Sequence, residues 1–223
     1  MSAIRVVVVD DQELMRSALR MMVESQPDLE LVGEAADGHE AVALVRARRV
    51  DVVLMDLRMP RMDGIQATAV VTAEQPGCRV IALTTFDLDE YALPALRAGA
   101  SGFLLKDARS EQIVDAIRTV HAGHGVVAPS TTRRLIEHVA TTPYADSARA
   151  AEIRAALTPR EFEMLLELAT GDSNREIAGR LHLSEATVKT HVGQVLAKLG
   201  LRDRVQAVVL AYETGLVGPH PRG

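Results

Sequence analysis

Val6-Val7-Val8-Val9-Asp10-Asp11 is the stretch on which the fold turns. Four β-branched apolar residues in unbroken succession predict a strand buried on both faces, as in a parallel sheet covered by helices. The two acids that follow put charge at the strand's carboxyl end, where open α/β sheets bind their ligands. Outward from there the pattern recurs: Val52-Val53-Leu54-Met55 runs into Asp56, Val80-Ile81-Ala82-Leu83 into Thr84, and Phe103-Leu104-Leu105 into Lys106. Strand-like runs near 4–9, 30–35, 51–56, 79–84 and 102–105 alternate with helical patterns near 12–25, 38–48, 62–74, 88–98 and 110–122. Five strand-then-helix repeats with short connections predict an α/β unit with a doubly wound, five-stranded parallel sheet. Asp37 with Glu40 and Asp87 with Glu90 have capping-box spacing, and Ser110 is an N-cap candidate.

Beyond about residue 123 the texture changes. His121-Ala-Gly-His-Gly125, Pro129, Thr141-Thr142-Pro143 and an Ala/Arg-rich stretch predict a linker over 124–154, with a short helix near 130–140 and an alanine-rich remainder open to partial helicity. From 157 onward the period is helical throughout. Thr158-Pro159-Arg160-Glu161 combines a threonine cap, a first-turn proline and a closing glutamate. Gly171 stops that helix. Ser173 with Glu176 opens a short helix ending near Arg180, and Ser184 caps another that runs to Leu199 and stops at Gly200. A last helix spans about 203–214. Two helices joined by a tight turn at 182–184 form a helix-turn-helix pattern within an all-α, four-helix unit. The expected organisation is therefore 1–123, a linker over 124–154, and 155–217.

Composition narrows the function classes. The chain is 48% apolar with no tryptophan, so its cores are aliphatic and wholesale disorder is excluded. A single cysteine, Cys78, excludes an internal disulfide and any cysteine-based metal cluster, and fits a reducing, cytoplasmic setting. No leader pattern opens the chain and no apolar run reaches bilayer length, so no membrane association is expected. The net charge is −5, its acidic surplus lying within residues 1–125. Near the carboxyl end, Lys189, Lys198, Arg202 and Arg204 are opposed locally only by Asp203.

The strand ends carry the chemistry. Asp10, Asp11 and Asp56 offer the hard oxygen ligands that Mg²⁺ prefers, and three close carboxylates need a cation to offset their repulsion. Lys106 and Thr84 bring an ammonium and a hydroxyl suited to phosphoryl oxygens. Together they point to phosphoryl transfer onto a carboxylate. The plain alternative is a set of surface acids that merely terminate the sheet; three acids, a hydroxyl and an ammonium at successive strand ends argue against it.

The pair Asp10-Asp11, the motif Asp56-Leu-Arg-Met-Pro60 with Asp63-Gly64, Thr84, and Gly99-Ala-Ser-Gly-Phe-Leu-Leu-Lys106 resemble the receiver domain of two-component response regulators, a flavodoxin-like fold, over residues 3–122. The resemblance implies that Asp56 accepts a phosphoryl group from a sensor histidine kinase. It also implies that Asp10, Asp11, Asp56 and the backbone carbonyl of Arg58 hold Mg²⁺. Thr84 and Phe103 would form the switch pair, the hydroxyl turning toward the acyl phosphate while the ring moves inward.

On the helix from 185 to 199, Val188, Val192, Val195, Leu196 and Leu199 make an apolar stripe. Opposite it lie Ala186, Thr190, Gly193, Gln194 and Ala197, flanked by Thr187 and Lys189. Small and polar residues let a helix approach base edges, although an ordinary solvated face reads the same way. Leu157-Thr-Pro-Arg-Glu161, Ser173-Asn-Arg-Glu-Ile-Ala178, Leu183-Ser-Glu-Ala-Thr-Val-Lys-Thr-His191 and Ala197-Lys-Leu-Gly200 resemble the LuxR-type helix-turn-helix over 155–217. Joined to a receiver, this makes the chain similar to response regulators of the NarL/FixJ class. The resemblance implies promoter DNA as partner, with Lys189 and Thr190 at base and phosphate contacts. Thr187, Asn174 and Lys198 are candidates for backbone contacts, and Gly193 stands where relatives carry a longer side chain. The final helix, with Val205, Val208, Val209 and Tyr212, would partly cover the core. Val205 and Val209 would pair two copies, so a homodimer is expected when the protein is phosphorylated or DNA-bound, reading half-sites about 10 bp apart. No enzymatic activity is expected beyond this. An aspartyl-phosphate phosphatase fits poorly, because the acids after the first strand are adjacent and the tail has no role; an interaction-only regulator remains the other reading.

Overall fold

A computed structural model describes residues 3–85, 88–123, 126–127 and 147–217. The chain divides into two compact units, Met1–Val127 and Ala128–Gly223. In the first, β1 (Ile4–Val9), β2 (Leu29–Ala35), β3 (Val52–Asp56), β4 (Arg79–Thr84) and β5 (Gly102–Leu105) alternate with α1 (Glu13–Glu24), α2 (Gly38–Ala47), α3 (Gly64–Glu74), α4 (Leu88–Arg97) and α5 (Ser110–His121). The expected elements are present, their ends shifted by one or two residues. A sixth strand, β6 (Val126–Val127), pairs parallel with β5, so the expected five-stranded sheet gains an edge and the first unit extends into the expected linker.

Strand order is β2-β1-β3-β4-β5-β6, every pairing parallel. The chain leaves β1 toward β2 and then crosses back to β3, so the order reverses between β1 and β3. A crevice opens at their carboxyl ends, and Asp10, Asp11 and Asp56 stand there. The pleat sends alternate residues of β1 to opposite layers. Val6 and Val8 pack with Leu19 and Val23 of α1 and Ile113 and Ile117 of α5. Val7 and Val9 pack with Val42 and Val45 of α2 and Val71 of α3. Both layers are aliphatic, as the lack of tryptophan requires.

Helix starts follow local chemistry. Asp37 Oδ1 accepts from the Glu40 N–H at 2.9 Å, but the Glu40 carboxylate reaches back to the Ala36 N–H instead of closing the box on Asp37. Ser110 is not the cap of α5. Arg109 holds that position, and its N–H donates to Gln112 Oε1 at 3.0 Å. The expected pair Asp87/Glu90 and the helix near 130–140 lie outside the described side chains and residues.

The second unit holds α6 (Ser147–Ala156), α7 (Pro159–Ala169), α8 (Asn174–Leu181), α9 (Glu185–Leu199) and α10 (Arg204–Glu213). The helix α6 falls where linker was expected. It buries Ile153 and lays Arg154 4.3 Å from the centroid of the Phe162 ring, so it belongs to the packed unit. Met164, Leu165, Leu168, Ile177, Val188 and Val195 are fully buried in the unit's core. Thr158 and Ser173 make reciprocal capping boxes with Glu161 and Glu176. Between α8 and α9 the chain turns through His182 at φ 55°, a left-handed residue that ends α8 abruptly. Gly200, at φ 64°, ends α9 in the same way.

The Glu161 carboxylate also accepts from Lys198 at 2.6 Å, linking the start of α7 to the end of α9. The Lys198 ammonium, with the Thr158 N–H and hydroxyl, holds this carboxyl down at about 2 from an ordinary 4.5. A group depressed on folding stabilises above its unfolded pKa, and that contribution disappears as pH falls through the folded value. The helical unit should therefore lose stability between about pH 4.5 and 2. Melting temperatures of the full chain and of Glu161→Gln, followed across that interval, check this: the Gln variant should show the shallower decline, and parallel declines would contradict it.

Candidate functional site

Five strand-end residues converge. The end of β1 delivers Asp10 and Asp11, the end of β3 Asp56, the end of β4 Thr84, and the residue after β5 Lys106. Asp10 and Asp56 are 0% and 4% exposed, and Thr84, at the end of β4, is buried as well. The Lys106 ammonium bridges the two buried acids, 2.6 Å from Asp10 Oδ2 and 3.0 Å from Asp56 Oδ2. Its backbone N–H donates to the Thr84 carbonyl at 2.7 Å, which ties β5 to β4 at the rim. Asp10 Oδ1 accepts from the Gln12 N–H at 2.9 Å, and Asp56 Oδ1 lies 3.4 Å from the Arg58 N–H.

Burial, reinforced by the neighbouring Asp10 charge, raises the Asp56 carboxyl above its ordinary value, against the pull of Lys106 and the Arg58 N–H. Burial works against the Lys106 charge too, but hydrogen bonds and charges from Asp10 and Asp56 outweigh it and raise the ammonium. One ammonium thus faces three carboxylates. One oxygen from each of Asp10, Asp11 and Asp56 lies within 4.8 Å of the others, and Asp11 is exposed, leaving one side open. Hard oxygen donors, a surplus of negative charge and an open side fit a divalent cation such as Mg²⁺.

The loop after β3 is held close to this pocket by a residue whose part was not read beforehand. Gly64 opens α3 against the backbone of Asp56, and a Cβ there would stand 2.0 Å from the Asp56 carbonyl oxygen. The Asp63-Gly64 dipeptide was the available signal, but only the fold shows what it approaches. The same loop is tied to the start of α2, where the Gly38 N–H donates to the Met62 carbonyl at 3.1 Å and Arg61 pairs with Asp37. Phe103, the other expected member of the switch pair, is 0% exposed.

On α9 the expected division of faces holds. Val188, Val192 and Val195 are buried, whereas Ala186, Lys189, Thr190, Gly193, Gln194 and Ala197 are exposed. Thr190 donates to the Ala186 carbonyl at 3.0 Å, and the Thr187 hydroxyl shares a 2.8 Å hydrogen bond with Ser184. Nothing stands within 4 Å of a Cβ built on Gly193, so that position has room for a longer side chain. Two expected backbone contacts are already engaged within the chain: Lys198 by Glu161, and Asn174 Oδ1 by Arg204 at 3.1 Å. Val205 and Val209, expected on a pairing face, are 4% and 8% exposed, so in this chain they are buried and not presented. Val208 on the same helix is half-buried.

Comparison with known proteins agrees with both halves. Residues 6–118 match the family model of the response regulator receiver domain, and residues 155–211 that of bacterial regulatory proteins of the luxR family. The chain belongs to the two-component response regulators that join a receiver to a LuxR-type helix-turn-helix DNA-binding domain. It is 41% identical over 214 residues to the transcriptional regulatory protein YxjL of Bacillus subtilis, covering 96% of this chain and 97% of that one. It is 38% identical over 214 residues to the response regulator protein VraR of Staphylococcus aureus, covering 96% and 99%. Among solved structures, the response regulator ChrA of a heme-sensing two-component system aligns with a TM-score of 0.53 at 36% identity, over 97% of this chain and all of that one. The receiver domain of a NarL regulator from Mycobacterium tuberculosis aligns at 0.54 and 38%, covering 56% of this chain and all of that domain. Among the described residues, no helix is long and apolar enough to cross a membrane.

Proposed function

We propose that this DNA-binding response regulator is switched by a phosphoryl group placed on Asp56. The observation that carries the reading is the buried Asp10–Lys106–Asp56 bridge at the switch in strand order, with Asp11 at its open side. An Asp56 carboxylate oxygen attacks the phosphorus of a phosphohistidine on a sensor kinase; the O–P bond forms, the P–N bond breaks, and the imidazole leaves with the electron pair. Asp10, Asp11 and Asp56, with the Arg58 carbonyl, would hold Mg²⁺, which supplies charge neutralisation for the incoming group. Lys106 then exchanges its bond to Asp56 for one to a phosphoryl oxygen, and the Thr84 hydroxyl donates to another. Thr84, drawn to the phosphoryl group, and the Phe103 ring would then act as the switch pair that holds the receiver in one arrangement. A bias of a few kcal/mol between two such arrangements suffices to change assembly or DNA affinity.

The output side rests on the exposed face of α9, with Lys189 and Thr190 at its centre and Thr187 at its rim. Dimerisation would set half-site spacing. Because Val205 and Val209 are buried, pairing through these two residues would require their exposure first. Such a regulator works where promoter DNA is, in the cytoplasm. Lys189→Ala in the full chain should weaken promoter binding about tenfold and lower the slope of log affinity against log salt by about one. Retention assays over a salt series check it, and an unchanged slope would remove Lys189 from the phosphate contacts.

A further inference from the structure

Arg204 stands at the first position of α10, 30 positions along the chain from Asn174, yet its guanidinium reaches the start of α8. Nη1 donates to Asn174 Oδ1 at 3.1 Å, and Nη2 donates to the Asp172 carbonyl. Asp172 is fixed in turn: its carboxylate accepts from Arg180 at 2.5 Å and from the Thr170 hydroxyl at 2.8 Å, and Arg180 also holds Glu167 at 2.7 Å. The guanidinium is part-buried, and burial lowers its pKa against the charges of Asp172 and Glu176. Both arms of the fork are thus committed to the turn between α7 and α8.

This arrangement has a chemical consequence for Asn174. A guanidinium has donors and no acceptor, so the atom of the Asn174 amide that faces it must be the oxygen. The amide's only donors, on Nδ2, are then turned away from Arg204. A flipped amide would set an oxygen against any phosphate and an NH₂ against the guanidinium, unfavourable at both ends. We propose that Arg204 is a positioning residue for DNA binding, holding the Asn174 amide with its donor end directed to the phosphate backbone. This rests on the reading of Asn174 as a DNA contact. It also gives the first turn of α10 a direct mechanical link to the DNA-reading pair of helices: displacing α10 frees the amide to flip.

A double-mutant cycle in the full chain separates positioning from general support. Asn174→Ala and Arg204→Gln should each weaken promoter binding about three- to tenfold, and the double variant should be no weaker than Asn174→Ala alone. Equal losses from Arg204→Gln in both backgrounds would overturn the proposal while leaving Asn174 as a contact. No loss from Asn174→Ala would remove the contact itself, and the proposal with it. Should Arg204→Gln fail to fold, Asn174→Asp decides: it keeps an oxygen for Arg204 but loses the donor. It should therefore melt no lower than wild type and bind DNA at least as weakly as Asn174→Ala. Binding at the wild-type level would overturn the proposal.

Discussion

The full chain carrying Asp56→Asn, incubated with a small acyl-phosphate donor and Mg²⁺, is expected to gain at least about a hundredfold less base-labile phosphate than wild type in the same time. The amide oxygen is a poor nucleophile, and no neighbour replaces the carboxylate. Asp10 Oδ2 is held by Lys106 at 2.6 Å and its Oδ1 by the Gln12 N–H at 2.9 Å, and Asp11 stands at the exposed rim. Of the three acids, Asp56 alone ends β3, while Asp10 and Asp11 follow β1. Chelating the metal should slow wild-type labelling and leave the variant's low background unchanged. Intact-mass measurement checks both, and equal labelling of the two proteins would show that the acceptor lies elsewhere.

Gly64→Ala is expected to damage stability and chemistry together. The added carbon would lie 2.0 Å from the Asp56 carbonyl oxygen, 2.8 Å from its carbonyl carbon and 2.9 Å from the Leu57 Cα. All three are backbone atoms, so no side chain can turn aside. Either α3 moves outward or the end of β3 shifts, and the second displaces Asp56 from Lys106. A loss of about 3 kcal/mol is expected, seen as a drop of roughly 10 °C in the melting temperature of the first unit. Labelling of Asp56 should slow as well. Gly77→Ala is the matched control, since nothing stands within 4 Å of a Cβ there. Melting of Gly64→Ala within about 1 °C of that control would mean the loop yields freely and does not fix the acceptor.

The first unit was legible because its signals are local. Runs such as Val6–Val9 and Val52–Met55 are buried on both faces, so each strand declares itself without its partners, and the residue after each run falls on one edge of the sheet. The pocket could be assembled from these endings before any contact was known. What escaped depends on neighbours far along the chain. Val126-Val127 is too short to show a strand pattern, and only β5 beside it makes it β6. Serine caps well, so the sequence points to Ser110 as the cap of α5, but the Gln112 side chain closes on Arg109 instead. Lys198 looked like a free cation because Glu161 is 37 positions away, and Asn174 looked unengaged because Arg204 is 30 positions away. The apolar spacing of α10 showed that Val205 and Val209 would be covered, but not whether by this chain or by a second copy. The exposed side of α9 is legible because the valine stripe, buried at Val188, Val192 and Val195, leaves the opposite side to the solvent.

The central claim is that a charge gained at Asp56 changes what the helical unit does. It is tested most directly by measuring promoter-DNA affinity of the full chain, at one fixed salt concentration, before and after treatment with the acyl-phosphate donor and Mg²⁺. Wild type should change its affinity at least about tenfold on treatment, and Asp56→Asn should not respond. An equal response in both proteins, or none in a wild type proven by mass to be phosphorylated, would contradict the account.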